Sequence, residues 1–118
     1  MKHYLYRVYF LTQRQKHKAL LSIPIDLESE VIGQAISKWI NERKLNSIAC
    51  KNSENVLMIQ RKRINAIQVR SYIEGETPGR KIKFQNDEDK DLLIQCVNDV
   101  ENSNKKKEND IWIKKGKY

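Results

Sequence analysis

Few side chains in this sequence could hold a soft metal or pair a nucleophile with its base: His3, His17, Cys50 and Cys96. None stands at zinc-ligand spacing from another, and no CxxC occurs. Two distant cysteines make neither a disulfide framework nor a metal knuckle, so they read as small buried thiols. No GxSxG, HExxH or GxGxxG run is present, and neither histidine has an acid beside it in sequence. "GETPGRK" looks superficially like a phosphate loop. Its glycines are one residue too close for a Walker motif, and Lys81 is followed by Ile82 rather than Ser or Thr, so it reads as a connecting turn. Asp87, Glu88, Asp89 and Asp91 gather where a helix should begin; there they suit the positive end of its dipole and stay in water. From these residues we expect no catalysis, no metal and no cofactor.

Cations interleaved with tyrosines are the more informative pattern. Arg14, Lys16 and Lys18 fall in a predicted first loop. "VLMIQRKRINAIQVR" then places Arg61, Lys62 and Arg63 between two apolar runs, at the tip of a predicted hairpin that also carries Arg70. Arg80, Lys81 and Lys83 lead into the next strand. Adjacent like charges repel and gain nothing from a core, so a negative partner outside the chain explains them better than folding does. Arginine grips phosphate with two parallel hydrogen bonds, and lysine acts as a point charge. Tyr4, Tyr6, Tyr9 and Tyr72 lie near these groups in sequence, and Tyr6 or Tyr9, if exposed, can stack on an unpaired base. The expected nucleic-acid contacts are therefore Arg14, Lys16, Lys18, Arg61, Lys62, Arg63, Arg70, Lys81, Tyr6 and Tyr9. Against this stands the plainer reading that tyrosines fill the core while the charges solubilise strand edges.

The net charge of +8 is regional. Residues 1–25 hold five cations and no acid, residues 60–85 hold seven cations against Glu74 and Glu76, and residues 86–100 hold five acids against Lys90. If the two basic regions meet in space, they form a field that attracts a polyanion. A chain of 118 residues, 39% hydrophobic and 32% charged, fits one domain with a real core. No apolar run approaches the ~20 residues of a membrane span, and "MKHYLYRVYFLTQRQK" lacks a signal-peptide apolar region. A cytoplasmic protein is expected.

The elements that must position these groups follow from periodicity. "YLYRVYFL" (4–11) alternates Tyr4, Tyr6, Val8 and Phe10 with Leu5, Arg7, Tyr9 and Leu11, a strand pattern. "ALLSIPI" predicts a short strand ended by Pro24. "DLESEVIGQAISKWINERKLN" repeats apolar residues every three or four positions, a helix with Asp26 as its N-cap and Arg43 and Lys44 at its negative end. "SIACK", "VLMIQRK" and "NAIQVRSYI" read as consecutive strands, joined by "NSEN" and by the basic tip. "KIKFQ" predicts another strand. "NDEDKDLLIQCVNDVENS" predicts a second helix capped by Asn86. Residues 103–110 read as a polar segment before a terminal strand at 111–115, where Ile111, Trp112 and Ile113 would dock on the sheet. Consecutive strands with short links favour α+β over a parallel array: a small mixed barrel or sheet covered by two helices.

The order of "YLYRVYFLTQ", "KALLSIPI", "SEVIGQAISKWINERKLNSIACKNSENVLMIQ" and "INAIQVRSYIEGET", with the lysine-rich tail, resembles the PrgU-like regulatory proteins of enterococcal sex-pheromone conjugative plasmids. The resemblance spans nearly the whole chain. It implies a PUA-like RNA-binding fold and a role in lowering expression of a toxic surface adhesin through its transcript. In PUA-like domains RNA lies against the first helix and neighbouring strands, which here means the segment from Lys18 to Ile25 and the basic strands; the glycine-rich turn usual in such domains is absent before Asp26. The rival expectation is an adaptor or inhibitor docking on an acidic protein surface, and a second is a small nucleotide-acting enzyme.

Overall fold

The computed structural model describes residues 2–75 and 79–116, with side chains through residue 105. Six strands and two helices follow in the order β1 (Tyr4–Leu11), β2 (Lys16–Ile23), α1 (Ser29–Arg43), β3 (Ser47–Lys51), β4 (Val56–Gln60), β5 (Ala66–Ser71), β6 (Lys81–Ile82) and α2 (Asp87–Gly116). This is the expected α+β class. The strands form one mixed sheet in the order β4-β3-β6-β2-β1-β5, with only β2 and β6 parallel.

Alternation along β1 is realised as predicted: Tyr6, Val8 and Phe10 are buried, and Arg7, Tyr9 and Leu11 lie on the opposite face. The inner face continues with Ala19, Leu21 and Ile23 of β2, Ile48 and Cys50 of β3 and Ile59 of β4. Over it lies α1, whose buried stripe is Val31, Ile32, Ala35, Ile36, Trp39 and Ile40, as its periodicity requires. At Gly33 this helix passes so close to β5 that a Cβ there would stand 3.4 Å from a Val69 methyl. Leu93, Cys96 and Val97 of α2 pack along α1 and complete the core. Both thiols are buried and free, and burial pushes each up to about 11.

Several expected boundaries move. The α1 helix begins at Ser29, with Glu28 as an N-cap that makes no side-chain bond, and not at Asp26. The reason lies in β1: the Tyr6 hydroxyl donates to Ile25 O at 2.6 Å and accepts the Leu27 N–H at 3.0 Å, holding the connection extended. The second strand starts at Lys16, so Lys16 and Lys18 sit on β2 and only residues 12–15 turn. "KIKFQ" pairs only at Lys81 and Ile82. Asn86 caps α2 as predicted, its Oδ1 accepting the Asp89 N–H at 2.9 Å.

Asp89 itself does not stay in water. It is 1% exposed and its Oδ1 accepts from Trp39 Nε1 at 3.1 Å and Arg43 Nε at 2.9 Å, which ties α2 to α1. The helix also runs on through the expected polar segment and terminal strand: residues 103–115 are helical. No Gly or Pro interrupts the chain between Asp87 and Gly116, and the Glu101–Lys105 pair at 3.1 Å reinforces the continuing turns. The side chain of Trp112 lies outside the described residues, as do Glu76, Thr77 and Pro78 of the predicted "GETPGR" turn.

The largest correction concerns β4 and β5. They form no hairpin; they are the two opposite edges of the sheet, and β5 pairs with β1. Arg61–Arg63 is a 3-10 turn within the link between them. None of the residues in "RKRIN" takes the positive φ of a tight hairpin turn, and the chain leaves β4 instead of folding back on it. Five residues, 61–65, join the two edges, which do not pair with each other, so the sheet is open. Among the described residues no helix is long and apolar enough to cross a membrane.

Candidate nucleic-acid interface

Strand register decides which cations meet. On the outer face, away from α1, one cross-strand row contains Val56, Lys51, Lys81, Leu20, Arg7 and Arg70, one residue from each strand. Four of the six are cations. In the next row Lys18 of β2 stands opposite Tyr9 of β1, which stands opposite Gln68 of β5.

Tyr9 is the centre of this face. Lys16 Nζ lies 4.4 Å from its ring centroid and the Arg70 guanidinium carbon 5.8 Å from it. Arg7 reaches the Tyr9 hydroxyl at 3.5 Å, while its Nε donates to Ser71 O at 2.9 Å. The structure therefore brings Lys16, Lys18 and Arg70 to Tyr9 and adds Arg7 to them, while Lys51 shares the cross-strand row three strands away. Both additions follow from parity, since Arg7 shares a face with Tyr9 and Lys51 follows the buried Cys50.

The remaining cations occupy the rim. Thr12 N–H donates to Gln15 O at 2.9 Å and closes the turn that presents Arg14. Beside this turn Asn65 N–H donates to Leu11 O at 2.7 Å, while at the start of β3 Arg61 N–H donates to Asn46 O at 2.9 Å. These bonds pin the two ends of the Arg61–Asn65 link, one at the start of β3 and the other at the end of β1. A groove of about 380 Å³ runs beside it, lined by Asn46, Ser47, Gln60, Arg61 and Lys62. Lys16, two residues from Arg14, also belongs to the Tyr9 cluster.

Tyr6 is a correction. It is 4% exposed on the inner face, and burial of its hydroxyl among the backbone groups of Ile25 and Leu27 raises its pKa. It cannot stack on a base. Arg80 is also committed locally, its Nε donating to Asn55 Oδ1 at 2.7 Å.

Charge segregates between the layers. Among the described residues no strand contains Asp or Glu, whereas Glu30 and Glu42 lie on α1 and Asp87, Glu88, Asp89, Asp91, Asp99 and Glu101 on α2. The helices use theirs on each other and on Lys38 and Arg43, as in Lys38–Asp99 at 3.8 Å. Among the described residues Lys16, Arg61, Lys62, Arg63, Arg70 and Lys81 are in no ion pair. Lys16, Arg70 and Lys81 on the sheet face beside an aromatic ring, with Arg61, Lys62 and Arg63 on the rim, can hold phosphates and stack one base. No three His, Cys, Asp or Glu side chains gather among the described residues. Comparisons with protein-family models, curated proteins and solved structures find no match to this chain.

Proposed function

We propose that this chain is a cytoplasmic, non-catalytic RNA-binding regulator with a PUA-like fold. Single-stranded RNA lies across the outer face of the sheet, with one base on Tyr9 and phosphates on Lys16, Arg70 and Lys81, and continues onto Arg14, Arg61, Lys62 and Arg63. The observation that carries this reading is the Tyr9 ring with Lys16 and Arg70 on it, set in a sheet whose strands hold no carboxylate. Magnitudes support an exchange at the ring: an exposed cation–π contact contributes about 0.5–1 kcal/mol, a stacked base about 1–3. A base can therefore displace Lys16 from Tyr9 and leave its ammonium for a phosphate. The resemblance to PrgU-like plasmid regulators narrows the target to the transcript of a surface adhesin, whose expression this chain would lower.

The test is fluorescence anisotropy with labelled RNA of about a dozen nucleotides, a typical span for such a surface. Reversing Arg61, Lys62 and Arg63 together to Glu should abolish binding while the melting temperature barely changes, because all three side chains lie outside the core. Unchanged affinity in that variant removes the assignment. Saturable binding to one acidic protein that polynucleotides do not compete away would favour the adaptor reading instead.

A further inference from the structure

Of the four large apolar residues exposed among the described residues, Leu5 is on β1 and Ile73 just after β5, while the other two share one strand. Val56 is 49% and Met58 57% exposed, both on β4, the outer strand at one edge of the sheet. "VLMIQ" contains no charge, no Pro and no bulge, the devices that normally keep an edge strand from pairing. The opposite edge is managed differently: β5 carries Arg70 and lies under α1, which approaches it at Gly33. Edge β4 is the unguarded one.

Its hydrogen-bonding parity is determined by the β3–β4 ladder. Arg61 N–H bonds Asn46 O and Asn52 N–H bonds Asn55 O, so every second residue between them, Leu57 and Ile59, faces β3. Val56, Met58 and Gln60 therefore turn their N–H and C=O groups outward. An antiparallel partner of identical sequence satisfies all three only when centred on Met58.

We propose that the chain self-associates through β4, pairing antiparallel with β4 of a second copy about a two-fold axis at Met58. Val56 then lies opposite Gln60, and Leu57 opposite Ile59. Beyond the paired strands, the same register brings the bend that carries Glu54 of one copy toward the 3-10 turn that carries Lys62 of the other, twice, and this charge complementarity selects a second copy of the chain as the occupant. The axis is perpendicular to the sheet, so both outer faces point the same way and the two Tyr9 clusters share one side of a continuous sheet. The pairing stands independently of RNA binding.

Two five-residue edges make a small interface, below about 1,200 Å², so a concentration-dependent dimer with a Kd of order 100 µM is expected. Sedimentation equilibrium of the full chain without nucleic acid measures it. Met58→Lys, at an exposed position, should leave the melting temperature unchanged and weaken association at least tenfold. Glu54→Lys and Lys62→Glu should each weaken it several-fold, and the double exchange should restore it. A monomer up to about 1 mM overturns the proposal, since a dimer at the expected affinity would then dominate; it would leave this edge to an extended peptide of another protein. A dimer untouched by Met58→Lys and by the charge exchanges overturns it equally.

Discussion

Tyr6 and Tyr9 are two residues apart on one strand. Pleat parity sends one into the core and the other onto the basic face. The first works as a clasp: its hydroxyl holds Ile25 O and Leu27 N–H, which keeps the approach to α1 extended and places the helix start at Ser29. The second offers a ring to which cations are already attracted. The two should therefore separate cleanly on substitution. Tyr6→Phe leaves a backbone carbonyl and N–H without their partner and should lower stability by about 1–3 kcal/mol in urea unfolding, with RNA affinity intact. Tyr9→Ala should do the reverse, leaving the unfolding midpoint nearly unchanged and weakening RNA binding by about 1–3 kcal/mol in the anisotropy titration. If Tyr6→Phe cost affinity and Tyr9→Ala did not, the orientation of the binding face would be wrong. The cysteines are quieter residues, since burial holds both thiols near 11 and leaves little thiolate at neutral pH.

Between elements, the decisive contact is Asp89. It begins α2, yet its carboxylate is buried against α1, shared by the Trp39 indole and the Arg43 guanidinium, while the Trp39 ring meets Phe84 edge-on at 5.5 Å. One acid of the four at that helix start thus fastens the two helices together. Asp89→Ala strands the indole N–H and leaves Arg43 without its partner. We expect a loss of about 2–3 kcal/mol in thermal or urea unfolding, below the range for a fully enclosed ion pair because Arg43 is one-third exposed. Asp87→Ala, by contrast, should cost no more than about 1 kcal/mol, because an exposed acid in the first turn contributes only through the dipole. Equal losses would mean that Asp89 is not the fastening. Composition marked this segment as a helix start and made its acids look interchangeable; only the position of Trp39 and Arg43 on α1 distinguishes Asp89 from its neighbours.

Taken as a whole, the molecule is polarised. Carboxylates lie on helices and loops, and the strands carry cations alone. A surface built this way should bind a polyanion with strong salt dependence, because each neutralised phosphate releases a condensed counterion. With about six phosphates engaged on a single strand, the logarithm of affinity should fall against the logarithm of salt concentration with a slope of about −4. Reversal of the 61–63 turn should flatten that slope as well as lower affinity. A slope near zero would point to a partner recognised by shape or apolar contact. The regional excess of charge was legible in the chain, since residues 1–25 contain no acid at all. Its placement was not: the apparent hairpin would have kept Arg61, Lys62 and Arg63 beside Arg70, whereas the fold starts their link at the β3–β4 edge, with Arg61 bonded to Asn46, and reaches β1 only at Asn65.

Local periodicity was enough to determine which side chains face inward. The two-residue alternation of β1 and the three-to-four-residue repeat of α1 each record one element burying one side, and that constraint acts within a few residues. Strand order is of another kind. It sets β5 beside β1 and β4 at the far edge, and it aligns Lys51, Lys81, Arg7 and Arg70 in one row, through pairings between segments as far apart as Arg7 and Arg70. No local pattern encodes such partners, because any of these strands offers the same backbone groups to a neighbour. Packing of the completed core chooses among them, and with that choice come the Tyr9 cluster, the buried Asp89 and the open edge at Met58.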